Sequence, residues 1–324
     1  MNAEREHMGA RDFIKKVPVP ICGLALAFAS LDRFLWYNYD VYVFNLFALL
    51  SVILVSLFTI RIFADAKGIL NDIKNPAAFA VLPTYTMTLM LFAAYVKDHF
   101  GAAAGDISFA VWIGAIAASY VIMFFFVKRF FFDFSIEKVF PSWFIIFVGY
   151  VVACVTSASF GTQDIGRILL WSGLIGYALM LPLTAYRTMI VRKTPEPLVP
   201  HAAIFAAPAN LLIVGCLSVY AQPPELLIYA LTALGVISYV AVLCYMPIML
   251  RRKFYPTFAA LTFPLVISAA SFHALGNYYG IAANEVFSVL QKATVVIAIA
   301  IVAYVFVGFL IFLYRAARAS PAQP

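Results

Sequence analysis

The sequence predicts an all-α integral membrane protein with ten transmembrane helices, arranged as five helical hairpins. Three observations lead to this fold class. The 324 residues are 65% apolar and only 11% charged, and mean hydropathy is +0.96, whereas soluble domains are about 45–50% apolar and about 25% charged. A structural unit repeats at a period of about sixty residues, and most of the basic residues fall in alternate loops.

The repeat is an apolar span that opens after a basic loop and contains a proline or glycine near its middle. The five spans open at Val17, Pro76, Pro141, Pro200 and Pro256, and their inner breaks are Pro20, Pro83, Gly149, Pro208 and Pro264. Between consecutive repeats lies a second apolar span that returns across the membrane. A fixed period of this kind is typical of one structural unit copied several times, and this unit reads as a helical hairpin.

Each predicted span is long enough for a membrane helix, which needs roughly 20 apolar residues. The ten predicted spans are 17–36, 41–61, 77–96, 107–127, 141–160, 168–186, 201–221, 226–249, 255–275 and 286–313. The domain organisation is therefore a tail over 1–16, a ten-helix domain over 17–313 and a second tail over 314–324. Residues 1–16 are too polar for a cleavable signal peptide.

The basic residues predict the orientation. Most of the 22 lysines and arginines lie in the two tails and in the loops at 61–74, 128–138, 187–193 and 251–253. Arg33, Lys97 and Arg167 lie on the other side. By the positive-inside rule both tails are cytoplasmic, in a plasma (inner) membrane, so the net charge of +7 does not indicate nucleic-acid binding.

The odd-numbered spans differ from the even-numbered ones in chemistry. They carry small and hydroxylic residues, and broken helices are tolerated in a bilayer where they face protein or a water-filled path. We therefore predict that these five spans line a central pore, with polar side chains provided by Thr84, Thr88, Ser157, Asn210 and Thr262. The alternative is that these side chains only hold helices together.

Ionisable residues are almost absent from the middle of the odd spans. His273 is the one candidate at membrane depth, and the alternative for it is an interfacial histidine. A proton-coupled carrier usually places an ionisable group there. A neutral path under a basic cytoplasmic face favours anions over cations.

Enzyme and metal-site signatures are not found. The sequence contains no nucleophile–base arrangement and no phosphate-binding loop. The cysteines lack the spacing of a metal site, so neither a metal nor a cofactor is expected.

Phe263 is the most specific local feature. It precedes Pro264 in the ninth span, and proline both removes a backbone donor and pushes the residue before it away from helical geometry. A phenyl ring at such a point could close a narrow path by filling it. The alternative is an ordinary packing role among 31 phenylalanines.

Five stretches in order resemble the tellurite-resistance/dicarboxylate transporter family, which includes bacterial tellurite-resistance proteins and the slow anion channel of plant guard cells. The resemblance covers roughly residues 14–313. The matching stretches are Pro-Val-Pro at 18–20 with Gly-Leu-Ala-Leu-Ala at 23–27, Asn-Pro at 75–76 with Leu-Pro-Thr-Tyr-Thr-Met at 82–87, Pro-Ser-Trp-Phe at 141–144 with Thr-Ser-Ala-Ser at 156–159, Ile-Phe-Ala-Ala-Pro-Ala-Asn at 204–210, and Phe-Ala-Ala-Leu-Thr-Phe-Pro at 258–264.

The resemblance implies a pseudo-fivefold arrangement of five hairpins with the odd helices around a central pore. It also implies a homotrimer of separately conducting subunits, in contact with membrane lipid. Phe263 matches the family's phenylalanine that occludes the pore.

Two functions remain open on this evidence. The first is a channel that conducts small inorganic or organic anions and is closed by Phe263. The second is a secondary transporter or exporter of dicarboxylates or of oxyanions such as sulfite or tellurite, which would need a defined binding site and alternating access.

Overall fold

The computed structural model describes residues 10–39 and 44–318. Parts of both predicted tails (1–9 and 319–324) and the start of the second predicted span (41–43) lie outside these residues. The described residues form helices joined by short turns, with no strand among them. The α-helices are α1 (Ala10–Lys15), α2 (Ile21–Tyr39), α3 (Phe44–Ala64), α4 (Ala66–Asp72), α5 (Pro76–Val81), α6 (Pro83–Phe100), α7 (Gly105–Phe130), α8 (Trp143–Val148), α9 (Val152–Thr156), α10 (Gln163–Tyr186), α11 (Ala207–Val219), α12 (Glu225–Leu250), α13 (Thr262–Tyr278) and α14 (Glu285–Arg318).

Shorter helical segments continue or join several of these helices. A π-helical turn, Arg187–Val191, extends α10. The 3-10 segments are Gly101–Ala104, Ile136–Lys138, Gly149–Val151, Ser157–Phe160, Glu196–Ala206 and Pro256–Leu261. The last two lead directly into α11 and α13. Each pair forms one continuous helical rod that changes from 3-10 to α geometry along its length.

Eight helical stretches of the described chain are long and apolar enough to cross a membrane. One of them, Pro76–Phe130, has 55 residues and contains two of the predicted spans. At 1.5 Å per residue it is far longer than a hydrocarbon core of about 30 Å. Gly101 divides it, because its positive φ of 56° is a backbone conformation that glycine adopts without steric cost. The predicted first span, α2, does not qualify, and its second half contains Asp32, Arg33 and Asn38.

The helices fall into a buried and an exposed group. In the most apolar windows of 143–160, 196–219 and 256–278, 67–72% of the residues are buried inside the protein. The corresponding windows of the other qualifying stretches are 22–39% buried. Exposed large apolar side chains are concentrated on α3, α7, α10, α12 and α14. The second group therefore forms an apolar outer surface of the described protein.

Contacts between helices explain this division. Each buried rod packs against the exposed helix that follows it: α2 on α3, α6 on α7, α8 and α9 on α10, α11 on α12, and α13 on α14. The buried rods also contact one another in the order α2, α6, α9, α11, α13, and α13 contacts α2 again. These five contacts close a ring, which we call the inner ring.

The sequence breaks lie at equivalent places in the inner ring. Pro20 immediately precedes α2, and Pro83, Pro208 and Pro264 lie in the first turns of α6, α11 and α13. Proline is tolerated in the first turn of a helix because its missing N–H would have no partner there. Gly149 instead begins a 3-10 turn between α8 and α9, where a Cβ atom would lie 2.8 Å from Met87 Sδ.

Candidate functional site: two cavities separated by Phe263

Two cavities lie within the inner ring and share two wall residues, Leu211 and Phe263, among those the structure describes. The first, the narrow cavity, has a volume of about 50 Å³. The second, the wide cavity, has a volume of about 280 Å³. The narrow cavity is lined by the first halves of the inner rods, which follow the basic loops, and the wide cavity by their second halves. Phe263 and Leu211 therefore stand between the two cavities.

Phe263 is the second residue of α13, where the 3-10 segment Pro256–Leu261 gives way to α-helix. Its side chain is 8% exposed, and it contributes to the walls of both cavities. Leu211, on α11, is 2% exposed and contributes to the same two walls. The aromatic side chain is the larger of the two at this junction.

The narrow cavity brings the five sequence breaks together. Pro20, Gly149, Pro208 and Pro264 all line it, and so does Thr84, the residue after Pro83. These residues are far apart in the sequence and come from each rod of the inner ring. Each of the five repeats thus contributes at least one residue to the wall of the narrow cavity.

The other predicted polar residues are placed differently. Thr88, Ser157, Asn210 and Thr262 are all fully buried, and none of them lines either cavity. Thr88 Oγ1 donates to Thr84 O at 2.7 Å, and Ser157 Oγ donates to Cys154 O at 2.8 Å.

The side chains of Thr262 and Asn210 also donate hydrogen bonds within the protein. Thr262 Oγ1 donates to Ala259 O at 2.7 Å. Asn210 Nδ2 donates to Ala206 O at 2.7 Å and to Ser268 Oγ at 3.1 Å, so it joins α11 to α13. The structure therefore gives these four side chains roles in helix geometry and helix packing.

Three polar side chains line the narrow cavity: Thr84, Thr257 and His201. Thr84 Oγ1 donates to Val81 O at 2.7 Å, and Thr257 Oγ1 donates to Pro197 O. Because both hydroxyl hydrogens point at carbonyl oxygens, these side chains offer the cavity lone pairs rather than donors.

His201 differs from the two threonines. It is 1% exposed, and its Nδ1 has no hydrogen-bond partner in the described part of the chain. A neutral imidazole carries one N–H donor, so His201 is the side chain in this cavity with an uncommitted donor. Among the histidines, the sequence pattern indicates only His273 as a candidate. The signal for His201 was its position directly after Pro200, which opens the seventh span.

The wide cavity is more polar. Its wall contains Ser30, Arg33, Tyr37, Asn38, Ser218, His273 and Asn277. Arg33 Nη1 donates to Asp98 Oδ2 at 3.0 Å, and its Nη2 donates to Ser159 Oγ at 3.3 Å. Tyr37 also donates its hydroxyl to Asp98 Oδ2 at 2.6 Å. Among the described residues, the guanidinium of this wall is therefore paired with the Asp98 carboxylate, which does not itself line the cavity.

His273 also lines the wide cavity. Asn277 Nδ2 donates to His273 Nε2 at 3.1 Å, and the imidazole packs against the rings of Phe34 and Tyr39 with centroid distances of 5.8 and 6.0 Å. Its ring is thus fixed by neighbours on α2 and α13. This environment fits a histidine that shapes the cavity mouth.

Acidic side chains are kept out of both cavities, as far as the described residues show. Asp32, on α2, is 2% exposed and accepts a hydrogen bond from the backbone N–H of Ala48 at 3.3 Å. It therefore faces α3 rather than the cavities. The described residues also contain no group of three or more histidine, cysteine or acidic side chains that could hold a metal ion.

The chain matches one protein-family model, described as a voltage-dependent anion channel, over residues 19–310. This match includes all the helices that form the inner ring and both cavities. None of the curated proteins compared with the chain matches it. The resemblance found in the sequence is confirmed: the chain is a multi-pass membrane protein that belongs to the SLAC1 family of voltage-dependent anion channels.

Proposed function

We propose that this protein is a channel for small anions, which pass through the narrow cavity, past Phe263 and through the wide cavity. The observation that carries this proposal is that one aromatic side chain, Phe263, forms part of the wall of both cavities, at the junction that it shares with Leu211. A path interrupted by a single bulky apolar side chain is closed to ions, because the ion cannot keep its water there.

The architecture we propose is ten membrane spans in five hairpins, with pseudo-fivefold symmetry around the path. The closed order of contacts in the inner ring supports it, as does the pairing of each buried rod with an exposed helix. The spanning domain is residues 17–313. The positive-inside rule then places both tails in the cytoplasm and the narrow cavity at the cytoplasmic end of the path. Assembly as a homotrimer in the plasma membrane follows from the family and is part of the proposal.

Preference for anions rests on the charges near the path. Arg33 is the single charged side chain among the described residues that line the two cavities. No acidic side chain lines either cavity in the described part of the chain, so this one guanidinium sets the sign of the fixed charge along the path.

The closed state is explained by the composition of the narrow cavity. Its wall is apolar except for three side chains, two of which direct their hydroxyl hydrogens away from it. Moving an ion from water into apolar surroundings without replacement hydrogen bonds is very costly. Removal of the Phe263 ring would open a wetter route between the two cavities.

The proposal is tested by reversal potentials of purified wild-type protein and Phe263→Ala in planar bilayers under a potassium chloride gradient. A channel for anions gives currents that reverse at the equilibrium potential of chloride. Reversal at the potassium potential would refute anion selectivity, and currents that are absent from both proteins would refute conduction.

A secondary transporter is the second candidate, and the wide cavity is the observation in its favour. A volume of about 280 Å³ with Arg33, Asn38 and Asn277 on its wall could hold a dicarboxylate or an oxyanion such as sulfite or tellurite. Its single guanidinium is already paired with Asp98, which favours weak binding of a monovalent anion. Flux that is electroneutral or driven by a pH gradient would decide for a transporter.

A further inference from the structure

A third cavity lies between α4–α5 and α7, away from the path. Its volume is about 590 Å³, which exceeds that of either path cavity. Leu70 and Ile73 form its wall on the α4 side, and Val121, Ile122 and Phe125 form its wall on α7. Leu70, Val121 and Phe125 are 53–61% exposed. We call this cavity the α4–α7 groove.

Two cations, Lys128 and Arg129, complete the groove at the end of α7. Neither forms an ion pair in the described part of the chain, although the Arg129 guanidinium lies 5.7 Å from the centroid of the Phe130 ring. Asp65 and Asp72, which flank or end α4, face Arg61 instead, at 3.8 and 2.6 Å. The two positive charges of the groove are therefore uncompensated.

The position of the groove indicates which kind of ligand it can bind. It opens on the exposed surface of α7, which presents aromatic and aliphatic side chains outward, and its cations stand at the end of the helix where the basic loop begins. A basic pocket next to apolar helix surface at the cytoplasmic face is the arrangement that recognises anionic lipid headgroups. A soluble anion would leave the apolar part of the groove unused.

We propose that the α4–α7 groove binds an anionic phospholipid, with one acyl chain between α4–α5 and α7 and the phosphate against Lys128 and Arg129. This site is separate from the path, but Leu82 belongs to the groove while its neighbours Val81 and Thr84 belong to the narrow cavity. The lipid would therefore contact the outer side of the break at Pro83.

The experiment is native mass spectrometry of the purified protein titrated with phosphatidylglycerol or phosphatidylcholine of the same acyl composition. The variant is Lys128→Gln with Arg129→Gln. The matched control is Arg251→Gln with Arg252→Gln, an adjacent exposed pair directly after α12 that also has no ion pair among the described residues.

We expect wild type to retain phosphatidylglycerol in preference to phosphatidylcholine. The Lys128/Arg129 variant should bind phosphatidylglycerol at least fivefold more weakly, while the control binds it as wild type does. Equal retention of the two lipids by wild type, or an equal loss in the control, would overturn the site.

A second variant, Val121→Trp, tests the acyl chain without changing a charge. The indole should fill the groove and weaken phosphatidylglycerol binding, whereas inorganic phosphate should not displace the lipid from wild type. Displacement by phosphate alone would show that the apolar wall has no part in binding. Dissociation of an oligomer by Val121→Trp, with lipid binding unchanged, would show that a second copy of the chain occupies the groove.

Discussion

The two path cavities are built from the same five rods but differ in size and chemistry. The wide cavity holds about 280 Å³ and includes a guanidinium, two amides and several hydroxyls on its wall. The narrow cavity holds about 50 Å³, and His201 is the side chain with an uncommitted donor among the described residues that line it. In the proposed channel, an anion in the wide cavity could exchange part of its hydration shell for the polar groups on its wall. The narrow cavity, which is smaller and mostly apolar, would replace far less of it.

In the proposed channel, this difference would place the barrier to permeation at Phe263 and the narrow cavity. The wide cavity would hold an anion among polar side chains, and the anion would lose water on passing Phe263 into the narrow cavity. The same repeat can produce both because each rod contributes its broken first half to one cavity and its regular second half to the other. Substitutions in the two cavities should therefore change anion conductance by different amounts and with different dependence on salt.

The largest expected effect is that of Phe263→Ala. Removing the ring joins the two cavities and lowers the dehydration barrier, and a reduction of about 2.7 kcal/mol would raise anion conductance about a hundredfold. Phe263→Leu should raise it less, because an isobutyl group still fills part of the junction. Macroscopic currents in oocytes, normalised to surface expression, measure both.

Phe258→Ala is the matched control for this comparison. Phe258 precedes the same break, is fully buried and lines neither cavity in the described structure. Its truncation should leave conductance low. A Phe263→Ala protein that reaches the surface with unchanged current would show that the difference between the cavities does not depend on this ring.

The next effect concerns the donor in the narrow cavity. In a Phe263→Ala background, His201→Leu should lower chloride conductance about tenfold, because a hydrogen bond to a charged group contributes about 1.5–3 kcal/mol and about 1.4 kcal/mol is tenfold in rate. Thr257→Val is the control, since the Thr257 hydroxyl is already bonded to Pro197 O. Equal losses in both variants would mean that the imidazole donor has no special role.

A substitution in the wide cavity should have a smaller effect on conductance, and this effect should depend on salt concentration. Arg33→Gln removes its one positive charge and should lower conductance by about threefold at 10 mM salt, where the screening length is about 30 Å. At 1 M salt the two proteins should conduct equally, because screening then acts within about 3 Å. Asp98→Asn should change low-salt conductance in the opposite direction. A loss that is independent of salt would indicate a structural role for Arg33.

The sequence predicts where a helix begins again inside an odd span, because proline has local consequences. A missing N–H and a fixed φ mark the start of a helix whatever surrounds it, so Pro83, Pro208 and Pro264 could be placed within a turn. The family was also predictable, since its motifs are spread over all five repeats. That Phe263 controls conduction stays a prediction.

The chemistry of the cavity walls was less accessible from sequence. Thr88, Ser157 and Thr262 looked like pore residues, but a hydroxyl can bond to a carbonyl of the preceding turn on any face of a helix. The pairing of Arg33 with Asp98 joins α2 to α6 across 65 residues, and no local pattern reveals it. The face of each rod that turns inward is decided by packing between rods.

The smallest expected effect on conductance comes from reducing the volume of the narrow cavity. Gly149→Ala would place a Cβ 2.8 Å from Met87 Sδ, and the flexible methionine side chain, which also lines the cavity, must shift. In a Phe263→Ala background this should lower conductance roughly twofold, about 0.4 kcal/mol, without loss of folded protein. Gly114→Ala on α7 is the control, because its Cβ would meet nothing within 4 Å. If Gly149→Ala leaves the conductance unchanged while Phe263→Ala raises it, the ring alone sets the barrier and the size of the narrow cavity does not contribute.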